Sequence, residues 1–216
     1  MSRRITFYYA PHSRASCTLA LLETLGADYD LHMLDLVEGT QRRADYLAVN
    51  PLGKVPAIRH GDALVTEQVA ILIYLADLYA DKGITPAVDD ALRGPYLRWA
   101  VFYAACFEPA IGDRARGVAV GPAMSSPYGD YDAVVDALKA QLSTGPYMLG
   151  ERFTAVDVLW GTALRWAMAF KLVPDAPVFR DYVERVTAHP GIARATALDE
   201  RYAAEQAARR EAATPA

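Results

Sequence analysis

The sequence predicts two regions: an α/β region with a mixed four-stranded sheet over the first eighty residues, and an all-helical region behind it. Three observations carry this. Short runs rich in β-branched and aromatic residues alternate with helical stretches as far as Tyr79. A cluster of helix breakers, Asp81-Lys82-Gly83-Ile84-Thr85-Pro86, follows. Beyond it the apolar spacing is that of helices. The expected boundaries are 1–80 for the first domain, 81–90 for a linker and 91–216 for an all-α domain.

Taking the elements in order, Ile5-Thr6-Phe7-Tyr8-Tyr9 reads as a strand ended by Pro11. Residues 13–25 read as a helix with Ala15, Thr18, Leu22 and Leu25 on one face, and Gly26 is its natural stop. A second strand is expected over 29–36 and a polar helix over 41–49. Asn50-Pro51-Leu52-Gly53 is a loop by its turn chemistry and delivers Lys54-Val55-Pro56-Ala57-Ile58-Arg59 as a strand. Gly61-Asp62 joins it to Ala63-Leu64-Val65 as a hairpin, and 67–79 is a helix apolar on most sides. The order β-α-β-α-β-β-α makes a mixed sheet with one right-handed parallel crossover and a terminal hairpin. Further helices are expected at 91–111, 131–142, 155–170 and 178–188. Residues 112–129 are expected to be irregular, and the Ala-, Glu- and Arg-rich tail after Arg201 to fray.

Composition narrows the function classes. The chain has 216 residues, 53% hydrophobic and 22% charged, as in an ordinary globular protein of one large or two small domains. No apolar run approaches the roughly 18 residues that cross a bilayer. Met1-Ser2-Arg3-Arg4 leads straight into a strand with no signal-peptide core, so a cytoplasmic location is expected. A net charge of −4 without a basic run leaves nucleic-acid binding no electrostatic footprint. Cys17 and Cys106 are far apart and form no CxxC motif, which argues against a structural zinc site or a dithiol redox pair.

Four segments carry chemistry. At Val55-Pro56, a cis bond would turn the Val55 N–H and C=O away from the sheet and leave both to pair with a ligand backbone, while a trans proline opening the strand explains the pair equally. Thr66-Glu67-Gln68 opens a buried helix, where unpaired N–H groups suit a carboxylate and Glu67 can hold an α-amino group. Acidic residues also favour the first turn of any helix. Pro11-His12-Ser13-Arg14-Ala15-Ser16-Cys17 turns from strand to helix, where a hydroxyl can donate to a thiolate. Ser13 is as readily a helix cap, and Cys17 reads as a small core residue. Phe153-Thr154-Ala155-Val156-Asp157-Val158 is a capping box in which Thr154 and Asp157 answer each other and Phe153 packs on Val158. That role is structural.

Together, Tyr8-Tyr9-Ala10-Pro11-His12-Ser13-Arg14, Asn50-Pro51-Leu52-Gly53-Lys54-Val55-Pro56, Thr66-Glu67-Gln68 and the distant capping box resemble the cytosolic glutathione transferase family. The resemblance runs over residues 5–189. It implies a thioredoxin-like N-terminal domain, an all-α C-terminal domain, two-fold homodimers and an active site in the cleft between domains. It also implies that Val55, beside a cis Pro56, pairs with the cysteine backbone of glutathione. Glu67 and Gln68 would hold the γ-glutamyl group and Lys54 the glycyl carboxylate. Gln68 departs from the serine usual there. The resemblance implies a tyrosine, serine or cysteine at the strand-one turn as the thiol-activating group. No cysteine stands at Arg14, where the cysteine-based class has one, and the Ser-Ser-Cys string of the maleylacetoacetate isomerases is absent. The His-Ser-Arg-Ala string is most similar to a group of bacterial and fungal transferases.

The expected catalytic residue is Ser13, with His12, Arg14 and Ser16 as helpers. Glutathione is then the co-substrate, with no tightly bound cofactor and no metal. Its activated thiolate attacks an apolar electrophile held by the long aromatic helix, where Trp99, Phe102, Tyr103, Cys106 and Phe107 are the pocket candidates. Core packing explains the same five residues, and is expected for more than half of them. Two rivals stand beside this reading: a glutathione-dependent peroxidase or disulfide reductase, and a binding protein that turns nothing over.

Overall fold

The computed structural model describes residues 3–119 and 121–213. Met1-Ser2 and the last three residues of the tail expected to fray therefore lie outside the described residues, as does Val120 in the segment expected to be irregular. In chain order the elements are β1 (Ile5–Tyr9), α1 (Ala15–Leu25), β2 (Tyr29–Met33), α2 (Ala44–Leu47), β3 (Ala57–His60), β4 (Ala63–Thr66) and α3 (Gln68–Leu78). They continue with α4 (Arg93–Phe102), α5 (Glu108–Arg116), α6 (Tyr131–Leu142), α7 (Ala155–Ala169), α8 (Pro177–Thr187) and α9 (Pro190–Ala213). No described helix is long and apolar enough to cross a membrane.

The chain divides into one unit of Met1–Tyr79 with His189–Ala216 and a second of Ala80–Ala188. The last helix thus packs with the N-terminal region, whereas the sequence placed everything after residue 91 in one helical domain.

In the first unit the strand order is β2-β1-β3-β4, with β1 parallel to β2 and the other pairs antiparallel. Alternation along β1 buries Ile5, Phe7 and Tyr9 on one face. The other face carries Tyr8, whose ring meets those of His32 and Tyr46. Strand β2 is shorter than the sequence suggests and stops at Met33. The backbone still follows β1 one step further, because Leu34 N–H donates to the Tyr9 carbonyl at 2.7 Å. Strand β3 starts at Ala57, later than expected, and leaves Lys54, Val55 and Pro56 outside the ladder. Helix α1 ends as expected, with Gly26 left-handed at φ 60°.

The described part of the tail expected to fray is instead the end of α9, a 24-residue helix held along α1 and the end of the sheet. Gly191 lets the two helices meet, since a Cβ there would lie 2.6 Å from Thr24 Cα. Arg194 donates to the Glu23 carboxylate and, at 2.9 Å, to the Glu23 carbonyl. Gln206 donates to the Leu34 carbonyl at 2.9 Å, and Arg210 to Asp35 at 2.7 Å.

The second unit is helical. The expected long aromatic helix runs past 111 as far as Arg116, through α4, a π-helical turn at Tyr103–Phe107 and α5. Its core is the buried indole of Trp160, ringed by Trp99, Phe102, Tyr103 and Phe107 with ring centroids 5.0–6.3 Å away. The capping box is present at the start of α7, and Phe153 meets Tyr147 edge to face. The Asp157 carboxyl is wholly buried and accepts from Met148 N–H (2.6 Å), Thr154 N–H (2.8 Å), the Thr154 hydroxyl (3.0 Å) and the Tyr182 hydroxyl (2.9 Å). Burial pushes its pKa up, and the four donors oppose that shift. Asp157→Ala would strand these donors in the interior. A loss of about 3 kcal/mol or more of unfolding free energy is expected in urea titration, with the slope unchanged.

Candidate active site

The sheet register brings three distant segments to one end of the first unit. Tyr8 pairs with Ala57 and Ala57 with Thr66, so the three residues form one row across β1, β3 and β4. The chain leaves that row as the Ala10–Arg14 turn after β1, enters it through Val55-Pro56 before β3, and leaves it again at Glu67-Gln68 after β4. Adjacent strands lie ~4.8 Å apart, so the three segments fall within about 10 Å, near the span of a tripeptide. Helices α1 and α3 both begin at this edge, with their N–H-bearing ends towards it.

Each segment presents exposed residues on a buried support. Lys54 is exposed and Val55 half-buried, and the Val55–Pro56 peptide bond is cis. Beneath them the Lys54 carbonyl accepts from the Tyr46 hydroxyl (2.5 Å) and from the buried Asn50 amide (2.9 Å). Burial pushes the Tyr46 phenol up to about 12. Asn50 also folds the loop on itself, taking the Leu52 N–H on its side chain at 3.1 Å and the Gly53 N–H on its carbonyl at 2.8 Å. Gly53 sits at φ 57°, and a Cβ there would stand 2.8 Å from the Gln41 carbonyl oxygen. The loop motif is thus a rigid bracket for Lys54 and Val55.

Glu67 is exposed and Gln68 half-buried at the start of α3. Of the three described non-glycine residues at positive φ, two border this edge: Glu67 at 67° and His12 at 53°. Such conformations concentrate where the surrounding structure over-determines them.

At the β1–α1 turn the four candidates have different positions. His12 and Arg14 are exposed, Ser13 and Ser16 half-buried. Ser13 donates its hydroxyl proton to the Ala10 carbonyl at 2.7 Å and accepts from Ala15 N–H at 3.1 Å, so here it makes the turn-stabilising bonds its position also allowed. Ser16 donates to Asp199 at 2.8 Å, and the His12 ring lies 3.2 Å from the Glu200 carboxylate. Cys17 is buried, as a core residue would be. The Tyr9 phenol is fully buried and donates to Asp199. Burial first, and that bond second, hold its pKa far above the usual phenol value, so it is no source of a proton or phenolate.

Among the pocket candidates of the second unit, Trp99, Tyr103 and Phe107 are packing residues around Trp160. At 2%, 2% and 0% exposure they have no surface to offer a ligand. Phe102 and Cys106 remain partly exposed, and burial raises the Cys106 thiol against the pull of Arg98. Arg98 itself lies 3.7 Å above the Trp99 ring.

What sequence reasoning missed is Asp199. No local pattern marks it, because its partners lie more than 180 positions away.

The strand order and the converging segments define the first unit as a thioredoxin-like fold. Comparison with known proteins goes further. The glutathione S-transferase N-terminal domain model matches residues 4–77, and a C-terminal domain model of the same family matches 128–185. The chain is 31% identical over 170 residues to glutathione S-transferase GstA of Escherichia coli O157:H7, an alignment spanning 76% of this chain and 83% of that protein. A crystal structure of a glutathione transferase from Methylococcus capsulatus matches with a TM-score of 0.76 and 28% identity, covering 91% of this chain and 98% of that one. A sphingomonad glutathione S-transferase complexed with glutathione matches with a TM-score of 0.74 and 25% identity, covering 90% and 98%. The chain belongs to the glutathione S-transferase family.

Gly53→Ala tests the bracket. It should cost about 2 kcal/mol of stability, from the strained φ and the clash with Gln41. Thermal unfolding reads the loss.

Proposed function

We propose that this protein activates the thiol of glutathione at the end of the first unit's sheet and transfers it to a hydrophobic electrophile. The observation that carries the reading is the row Tyr8–Ala57–Thr66, which gathers the Ala10–Arg14 turn, Val55-Pro56 and Glu67-Gln68 at one edge. Val55, outside the ladder, pairs its backbone with the cysteinyl backbone of the tripeptide. Glu67 holds the α-ammonium group of the γ-glutamyl end. Gln68 and the α3 N–H groups receive that end's carboxylate. Lys54 meets the glycyl carboxylate. Within the second unit, Phe102 and Cys106 are the candidates of the aromatic helix that keep exposed surface. The active species is a two-fold homodimer working in the cytoplasm.

Thiol activation falls to Ser13. Its hydroxyl donates to a neutral carbonyl, that of Ala10. A thiolate beside the turn is a stronger acceptor, because a hydrogen bond to an ionised partner is roughly twice as strong. The hydroxyl therefore rotates from the Ala10 carbonyl to the sulfur, and His12 and Arg14 sit nearby as exposed basic groups. A free cysteine thiol has a pKa of about 8.5, and lowering it by one unit costs about 1.4 kcal/mol of differential stabilisation. One charge-assisted hydrogen bond supplies that. The thiol proton passes to solvent, the thiolate attacks the electrophilic carbon, the carbon–leaving-group bond breaks, and the leaving group departs with its electron pair.

Two measurements test the reading. Isothermal titration of glutathione should give saturable heat for the native protein and none at millimolar glutathione for Glu67→Ala. Absence of heat from the native protein would sink the reading. With a generic aryl halide as electrophile, Ser13→Ala should lose on the order of tenfold or more in kcat while keeping its affinity for glutathione. Its stability should fall by about 0.5–2 kcal/mol through the lost turn bonds. An unchanged kcat would take the activation away from Ser13.

A further inference from the structure

The turn that carries Ser13 is not self-supporting. His12 occupies φ 53°, a left-handed conformation that a residue with a Cβ enters only against steric cost. Its backbone N–H points at the carboxylate of Asp199, 3.3 and 3.4 Å from the two oxygens. Asp199 is 5% exposed and lies in the middle of α9. It also receives the Tyr9 hydroxyl from the end of β1 and the Ser16 hydroxyl, at 2.8 Å, from the first turn of α1. One buried carboxylate therefore collects donors from the residue before the turn, the turn itself and the helix after it. The next residue, Glu200, meets the His12 ring at 3.2 Å, so α9 grips His12 at both backbone and side chain.

We propose that Asp199 is the positioning residue of the thiol site: by holding the His12 N–H, the Tyr9 hydroxyl and the Ser16 hydroxyl it fixes the left-handed turn that presents Ser13 and the N-terminus of α1 to the glutathione sulfur. The proposal rests on the transferase reading above. Asp199 touches neither thiol nor electrophile. Its effect is confined to the geometry of the turn, so it acts on the reactivity of the bound thiol and leaves the Val55, Glu67 and Gln68 contacts intact. Misplacing a reacting group by about 1 Å costs up to ~100-fold in rate, and loss of the pin places the turn in that range.

The experiment compares three full-length variants with the native protein at a temperature where each is folded. Asp199→Asn removes the charge and converts one acceptor into a donor at constant volume. Asp199→Ser removes the reach and is the second variant should the first not fold. Arg210→Gln loosens α9 at Asp35, three turns beyond Asp199. Readouts are the Kd for glutathione, kcat with an aryl halide, and the pKa of the bound thiol from thiolate absorbance against pH. The expected result is a ~10- to 100-fold fall in kcat and a raised thiol pKa for Asp199→Asn and Asp199→Ser, with Kd within about threefold of the native value. Arg210→Gln should lower Tm without moving the thiol pKa. Two results overturn the proposal: an unchanged thiol pKa in the Asp199 variants, or an equal shift in Arg210→Gln. Native protein that neither binds nor turns over glutathione would instead overturn the transferase reading on which the proposal stands.

Discussion

A single buried carboxylate closes the first unit. Tyr9 ends the central strand with a phenol that has no access to water, and a buried hydroxyl without a partner costs ~1–3 kcal/mol. Asp199 supplies the partner, at the price of taking a carboxylate out of water. That is tolerable only because Ser16 and the His12 N–H share it. The same three bonds lock α9 against β1 and α1. The docking of α9 then extends outwards from them, through Gly191 at Thr24 and Arg194 at Glu23 on one side, and through Gln206 at Leu34 and Arg210 at Asp35 on the other. The last twenty-odd residues of the chain are in this way part of the unit formed by the first eighty.

The binding edge follows one design throughout: exposed side chains mounted on buried, hydrogen-bonded supports. Lys54 and Val55 stand on Asn50, Tyr46 and a glycine too confined to carry a side chain. Ser13 and His12 stand on Asp199. Glu67 stands at the end of β4 with its carbonyl already engaged by Ile71 N–H, 2.9 Å away in the first turn of α3. Pre-ordering the receptor in this way removes the conformational entropy that a flexible loop would lose on binding a small peptide. Two of the three described non-glycine residues held at positive φ are here.

The second unit solves a different problem. Its aromatic residues are mostly core, packed edge to face around Trp160, and its polar centre is Asp157, which joins the start of α7 to the Met148 backbone and to Tyr182 of α8. A π-helical turn at Tyr103–Phe107 re-aims the long helix and leaves Cys106 and Phe102 at its partly exposed side.

How much of this was written in the sequence depends on the distance over which each feature is encoded. The succession of elements in the first unit, the helix stop at Gly26, the hairpin at Gly61-Asp62 and the capping box at Thr154 and Asp157 are local, carried by residues within a few positions of one another, and were legible. So were the three segments that converge at one end of the sheet, because turn chemistry and helix starts mark them. The boundaries slipped where pairing decides, as at β2 and β3, whose ends depend on which strand lies beside them. Helix α9 was invisible because its buried face is written in Gly191, Ala195, Asp199 and Gln206 with a single large apolar residue, Ile192, so hydrophobic periodicity had little to find. The role of Ser13 was left open for the same reason. A hydroxyl at a strand-to-helix turn is cap or catalyst by sequence alone. Only the folded chain brings Asp199 across 187 positions to His12 and so shapes the turn that presents Ser13.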